Sequence, residues 1–97
     1  MKLALCDDDK QELSHISSFI KNYQKLSSVP MSVQIFHNSF ELASVASDEH
    51  FDLYLLDIIM PELNGIELAR EIRRFDKAAD IIFLTTSPEF AVESYTV

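Results

Sequence analysis

The sequence predicts a three-layer α/β domain built on a parallel sheet of strand order 2-1-3-4. Three observations lead there. Short apolar runs alternate with helical stripes along the whole chain, the links between them are short, and the runs differ in pattern. Strand–helix alternation with short links implies parallel strands joined by right-handed crossovers. The patterns then rank the strands from interior to edge. Ninety-seven residues hold one such core and leave no room for a second.

The first strand is Lys2 to Cys6. Lys10 to about Leu26 follows with apolar residues at Leu13, Ile16, Ile20 and Tyr23, a helical stripe. Ser27-Ser28-Val29-Pro30 breaks it, and Met31 to Phe36 is the second strand. Asn38 and Glu41 have the spacing of a capping box and open a short helix through about Ser47. Phe51 to Leu56 is the third strand. Asn64 and Glu67 repeat the capping spacing and open a helix whose inner face holds Leu68, Ala69, Ile72 and Phe75. Ile81 to Leu84 is the fourth strand, and Pro88 suits the first turn of a last helix through about Tyr95. Strands one, three and four are apolar at successive positions, which fits burial on both faces inside the sheet. Strand two alternates Met31, Val33 and Ile35 with Ser32 and Gln34, and reads as an edge. Phe19, Tyr23, Phe75, Phe83 and Phe90 fall on inward positions and are expected in the core. The fourth strand has no element to cover its outer edge, so a fifth strand, absent from this chain or supplied by a partner, is expected there.

Two acidic clusters end neighbouring strands. Asp57 follows Leu53-Tyr54-Leu55-Leu56, and Asp7-Asp8-Asp9 follows Leu3-Ala4-Leu5-Cys6. Open α/β sheets place their ligands outside the carboxyl ends of strands, at the switch point between the first and third. Carboxylates packed that closely repel unless a cation or a shared proton relieves them. The donor set suits one hard divalent cation such as Mg²⁺, which takes oxygen ligands and leaves positions open for phosphate oxygens. One carboxylate could then attack phosphorus to give an aspartyl-phosphate. Thr85 or Thr86, ending strand four, could hydrogen-bond the new group.

Composition excludes several alternatives. The formal charge is −8, from 16 acidic and 8 basic residues, which argues against direct nucleic-acid binding. Cys6 is the lone cysteine and reads as a small buried hydrophobe. The one glycine, Gly65, cannot supply a nucleotide-binding loop. His15, His37 and His50 lack ligand spacing and read as surface or helix residues, while Arg70, Arg73 and Arg74 with Glu67 and Glu71 read as an ion-paired helix face. No signal peptide or membrane-length apolar run is visible, so the expectation is a cytoplasmic protein with no membrane partner.

The combination of Leu5-Cys6-Asp7-Asp8-Asp9, the run from Leu55-Leu56-Asp57 through Met60-Pro61 to Asn64-Gly65, and Phe83-Leu84-Thr85 resembles a response-regulator receiver domain of two-component signalling. Thr85 to Ala91, continuing to Ser94-Tyr95, resembles receivers attached to LytTR-type DNA-binding domains. The resemblance implies a flavodoxin-like (CheY-like) fold. It implies that Asp57 accepts phosphate from a sensor histidine kinase and that Thr85 is the switch hydroxyl. It also implies that Asp7, Asp8, Asp57 and the backbone carbonyl of Ile59 hold Mg²⁺, and that Pro61 and Gly65 shape the loop after the acceptor. Asp9 is expected as a solvated residue opening the first helix. Such receivers continue into a fifth strand bearing a lysine that contacts the phosphoryl group, then a fifth helix; this sequence reaches Val97 before either. Residues 1–97 are therefore expected to be an incomplete receiver with no output domain. Ile59 offers no polar side chain to orient an attacking water, so slow phosphate loss is expected.

Three functions compete on these residues. The leading one is a stoichiometric phosphoacceptor, not an enzyme in the turnover sense, which switches an output contact. A second is an unphosphorylated interaction module that forms a homodimer through the open strand-four edge or the last helix. The third, an aspartyl-phosphate hydrolase, lacks turnover machinery, because Ile59 stands where many such enzymes place a second acid.

Overall fold

The computed structural model describes residues 1–84. Thr85, Thr86, the last helix, Phe90 and Tyr95 lie outside the described residues. The elements run β1 (Lys2–Cys6), α1 (Lys10–Leu26), β2 (Ser32–Phe36), α2 (Ser39–Ala46), β3 (Leu53–Asp57), α3 (Gly65–Phe75) and β4 (Asp80–Leu84). The four strands are all parallel, in the order β2-β1-β3-β4. Strand and helix ends fall within about two residues of the sequence expectation.

Each helix starts where its polar cap dictates. Asp9 is exposed at the start of α1, as expected, and also caps it, its carboxylate accepting from the backbone N–H of Gln11 and of Glu12. Asn38 caps α2, but the expected box is only half formed. The Glu41 carboxylate accepts from His37 N–H, one residue before the cap. Around α3 the box closes fully: Asn64 accepts from Glu67 N–H at 2.9 Å, and Glu67 accepts from Asn64 N–H at 3.1 Å.

The two faces of the sheet are unequal. On one, α2 and α3 cover Ala4, Cys6, Tyr54 and Leu56 and complete the core with Phe36, Leu42, Phe51, Leu68 and Ile72. Phe51 meets Phe36 and Tyr54 edge to face, with ring centroids 6.1 and 5.5 Å apart. Full burial of side chains this large stabilises by about 1.5–3 kcal/mol each. On the other face α1 is the one helix among the described residues, beside a groove of about 540 Å³ lined by Leu3, Phe19, Ile20, Tyr23, Leu53 and Leu55.

That asymmetry corrects three expectations. Phe19, Tyr23 and Phe75 are not core residues but are 72%, 60% and 57% exposed. Leu53 and Leu55 of β3 are only half-buried, while Tyr54 and Leu56 between them are fully buried. Among the described residues β4 lies at the uncovered edge that the sequence implied, but it is not buried on both faces, since Ile82 on it is 50% exposed. For Phe19, Tyr23, Leu53 and Leu55 the physical reason is shared: an apolar pattern reports what an element can bury, and α1 is the one helix on that face among the described residues.

The helix-face ion pairs also resolve more narrowly. Arg74 pairs with Glu71 at 3.3 Å. Glu67 is taken up by its cap, and Arg73 donates to the carbonyls of Lys77 and Ala79. His50, an exposed residue as expected, lies 3.0 Å from Asp76 and 3.5 Å from Asp52.

Candidate functional site

Register places the acids. Cys6 pairs with Leu56 across β1 and β3, so the residues that follow, Asp7 and Asp57, leave the sheet side by side. Across β3 and β4, Asp57 pairs with Leu84. One carboxylate oxygen each from Asp7, Asp8 and Asp57 falls within 4.8 Å of the others. Asp7 is buried, Asp57 half-buried and Asp8 exposed. With Asp9, Glu12, Ile16, Ile59 and Leu84 they line a cleft of about 590 Å³ at the carboxyl end of the sheet. No lysine or arginine lines it among the described residues.

Burial and mutual repulsion raise the proton affinity of this group. Desolvation pushes Asp57 up to about 7, and the adjacent Asp7 carboxylate pushes the same way; the Ile59 N–H opposes them. Asp7 is likewise raised, chiefly by desolvation, although the Asp9 N–H donates to it at 2.9 Å. A proton shared between the two is the relief available to the acids alone. The buried Cys6 thiol beneath them is pushed up to about 12 by desolvation first and these charges second, so it stays protonated. Its sulfur lies 3.8 Å from that of Met60.

The donor set fits a hard cation. Adjacent oxygens on one Mg²⁺ lie about 3 Å apart and opposed ones about 4 Å. Three oxygens within 4.8 Å therefore need only small side-chain rotations to share an ion.

The loop after Asp57 is held by two backbone features. Gly65 N–H donates to the Ile58 carbonyl at 2.9 Å, which draws the start of α3 against the end of β3. A Cβ on Gly65 would lie 2.1 Å from the Asp57 carbonyl oxygen, so only glycine permits the approach. Glu62 adopts a left-handed φ of 68°, which the sequence did not signal. Glu62→Gly is expected to stabilise the chain by about 0.5–1 kcal/mol, measured by urea unfolding, because glycine enters that region without a Cβ clash. A destabilised variant would show that the Glu62 side chain holds the loop.

Two cleft residues, Glu12 and Ile16, escaped sequence reasoning. Their signal was present: they are one helical turn apart, and the first follows the Asp9 cap by three residues. Ile59 lines the cleft and is exposed.

Residues 3–96 match the family model of the response regulator receiver domain. This chain belongs to that family. Among curated relatives, accessory gene regulator protein A of Staphylococcus epidermidis is 38% identical over 92 residues, covering 92% of this chain and 39% of the relative. The receiver domain thus spans well under half the length of that relative. Among solved structures, the response regulator TrrA from Thermotoga maritima, in complex with Mg²⁺-BeF, is 27% identical with a TM-score of 0.74; the match covers 95% of this chain and 75% of that one. A CheY-like receiver from Methanospirillum hungatei superimposes with a TM-score of 0.81 at 23% identity, covering 98% and 73%. The sheet order 2-1-3-4 and its layers are those of CheY-like receiver domains. No helix among the described residues is long and apolar enough to cross a membrane.

Proposed function

We propose that this receiver accepts a phosphoryl group from a sensor histidine kinase onto Asp57 and passes the change to an output contact. The observation that carries the proposal is the convergence of Asp7, Asp8 and Asp57 at the ends of adjacent strands. An Asp57 oxygen forms the new bond to phosphorus as the bond from phosphorus to the kinase histidine nitrogen breaks, and that nitrogen keeps the electron pair. Asp7, Asp8, Asp57 and the Ile59 carbonyl would hold Mg²⁺. When bound, it supplies the positive charge that lets phosphoryl oxygens enter an acidic cleft. Asp57 must be deprotonated to attack, and the Ile59 N–H favours that form. Thr85 as the switch hydroxyl is part of the same proposal and lies outside the described residues.

The reaction is one transfer per chain, not turnover. The segment from Thr85 to Tyr95 and the accessory gene regulator relatives support a LytTR-type output domain in the whole protein. Such a regulator would act in the cytoplasm, with the output domain rather than this acidic chain meeting DNA.

The test is intact mass after incubation with Mg²⁺ and acetyl phosphate, beside Asp57→Ala. A single phosphoryl adduct is expected, absent from the variant. An adduct that persists in Asp57→Ala would move the acceptor elsewhere.

The exposed Ile82 on the β4 edge favours a second reading, a module that dimerises through that edge without phosphorylation. Light scattering at rising concentration should then show a dimer that Ile82→Lys dissolves. A monomer at every concentration would remove this reading.

A further inference from the structure

The three helices among the described residues each carry a glutamate at the third helical position, Glu12, Glu41 and Glu67. Two of these are occupied by backbone: Glu67 accepts from Asn64 N–H and Glu41 from His37 N–H. Glu12 is not. The N–H it would reach in a closed box, that of its own cap Asp9, is already given to Asp7 at 2.9 Å. Its carboxylate has no hydrogen bond or ion pair among the described residues, is exposed, and lines the acidic cleft together with Ile59 and Leu84. The site acid Asp7 thus displaces Glu12 from capping and leaves an unneutralised charge at the mouth of the cleft.

We propose that Glu12 sets the charge selectivity of this cleft, opposing entry of free dianionic phosphodonors while strengthening attraction for divalent cations. The inference rests on the phosphoacceptor reading above. It gives the side chain two effects of opposite sign, because one fixed charge repels anions and attracts cations at the same place. A carboxylate several ångströms from the reacting phosphorus, in a cleft open to water, changes encounter by a few-fold at low salt and little at high salt. A donor delivered by a protein surface, with its own cations and contacts, would be penalised less than a free small anion.

The experiment compares the wild-type chain with Glu12→Gln and Glu12→Asp. Adduct formation is followed by intact mass at saturating Mg²⁺ and limiting donor, with acetyl phosphate as the dianion and phosphoramidate as the lower-charge donor. In each transfer the bond from phosphorus to acetate oxygen, or to nitrogen, breaks as the bond to Asp57 forms, and the leaving group takes the electron pair. Mg²⁺ affinity is measured separately by titration calorimetry. Glu12→Gln should speed the acetyl phosphate reaction about two- to fivefold at low ionic strength, with a smaller gain for phosphoramidate and none at high salt. It should weaken Mg²⁺ binding by a similar factor, and Glu12→Asp should stay near wild type in both. Rates that change equally for both donors, or independently of salt, would overturn the proposal, as would unchanged Mg²⁺ affinity. If no variant or wild-type sample gives an adduct, the acceptor reading fails; the calorimetry still decides whether Glu12 tunes the cleft.

Discussion

Gly65→Ala should lower stability by about 3 kcal/mol and remove phosphoryl acceptance at Asp57. The expectation follows from one distance. The added methyl carbon would sit 2.1 Å from the Asp57 carbonyl oxygen and 2.9 Å from the Ile58 Cα, and the three nearest atoms are all backbone. No rotamer change can relieve such contacts, so the start of α3 must move away from the end of β3. That movement breaks the Gly65 N–H bond to the Ile58 carbonyl and displaces the segment carrying both Asp57 and Ile59. Ile66, Leu68 and Ile72 are buried beneath α3, so the helix cannot shift without loosening the core. Urea unfolding gives the stability change, and intact mass after acetyl phosphate treatment gives the acceptance. A loss below about 1 kcal/mol with a normal adduct would mean that the loop yields more easily than its backbone contacts imply.

The sequence carried the strand order because the signals behind it are local. The alternation of Met31, Val33 and Ile35 with polar neighbours marked β2 as an edge, and continuous apolar runs marked β1 and β3 as inner strands. Helix starts were legible for the same reason, since Asn38 and Asn64 act within one turn of themselves. What did not survive was any inference that needed to know what packs opposite. Phe19 and Tyr23 lie on the apolar stripe of α1, but a stripe fixes the side of a helix and not whether a neighbour covers its flank. Phe75 is the last residue of α3 and is exposed, because periodicity gives a residue's side of a helix and not what lies opposite the helix end. The acids behaved like the strand order: their positions at strand ends, once neighbours are known, bring three of them together. Glu12 was missed because its freedom depends on Asp7 occupying the Asp9 N–H, a three-residue competition no pattern reports. Glu62 was missed because its left-handed φ falls on a residue that rarely adopts one.

The pH dependence of stability should expose the same crowding of charge. Asp57 holds its proton up to about pH 7 in the folded chain, against an ordinary value of 3.8. Between those limits the folded state binds more protons than the unfolded one, so stability falls as pH rises from about 4 to about 7 and then levels. Asp7, also raised, adds in the same direction. Asp52 acts oppositely. The Lys2 N–H holds it below the ordinary range, so its contribution is lost only under more acidic conditions, outside this window. Asp57→Asn removes the proton-binding difference and the repulsion of Asp7 together. Without divalent cations, the variant should therefore be more stable than wild type at pH 8 by about 1–2 kcal/mol, after discounting for partial exposure of the site. At pH 4 the two should converge. Mg²⁺ at a hundredfold excess over its dissociation constant should raise wild-type stability by about 2.7 kcal/mol and the variant by much less, reversing their order at pH 8. Urea unfolding across pH 4–8, with and without Mg²⁺, measures all of this. Wild-type stability that rises with pH in the absence of metal would show that the acids are better solvated than their burial implies. The reversal by Mg²⁺ is the informative arm, because it ties the charge that destabilises the free fold to the cation that the proposed chemistry requires.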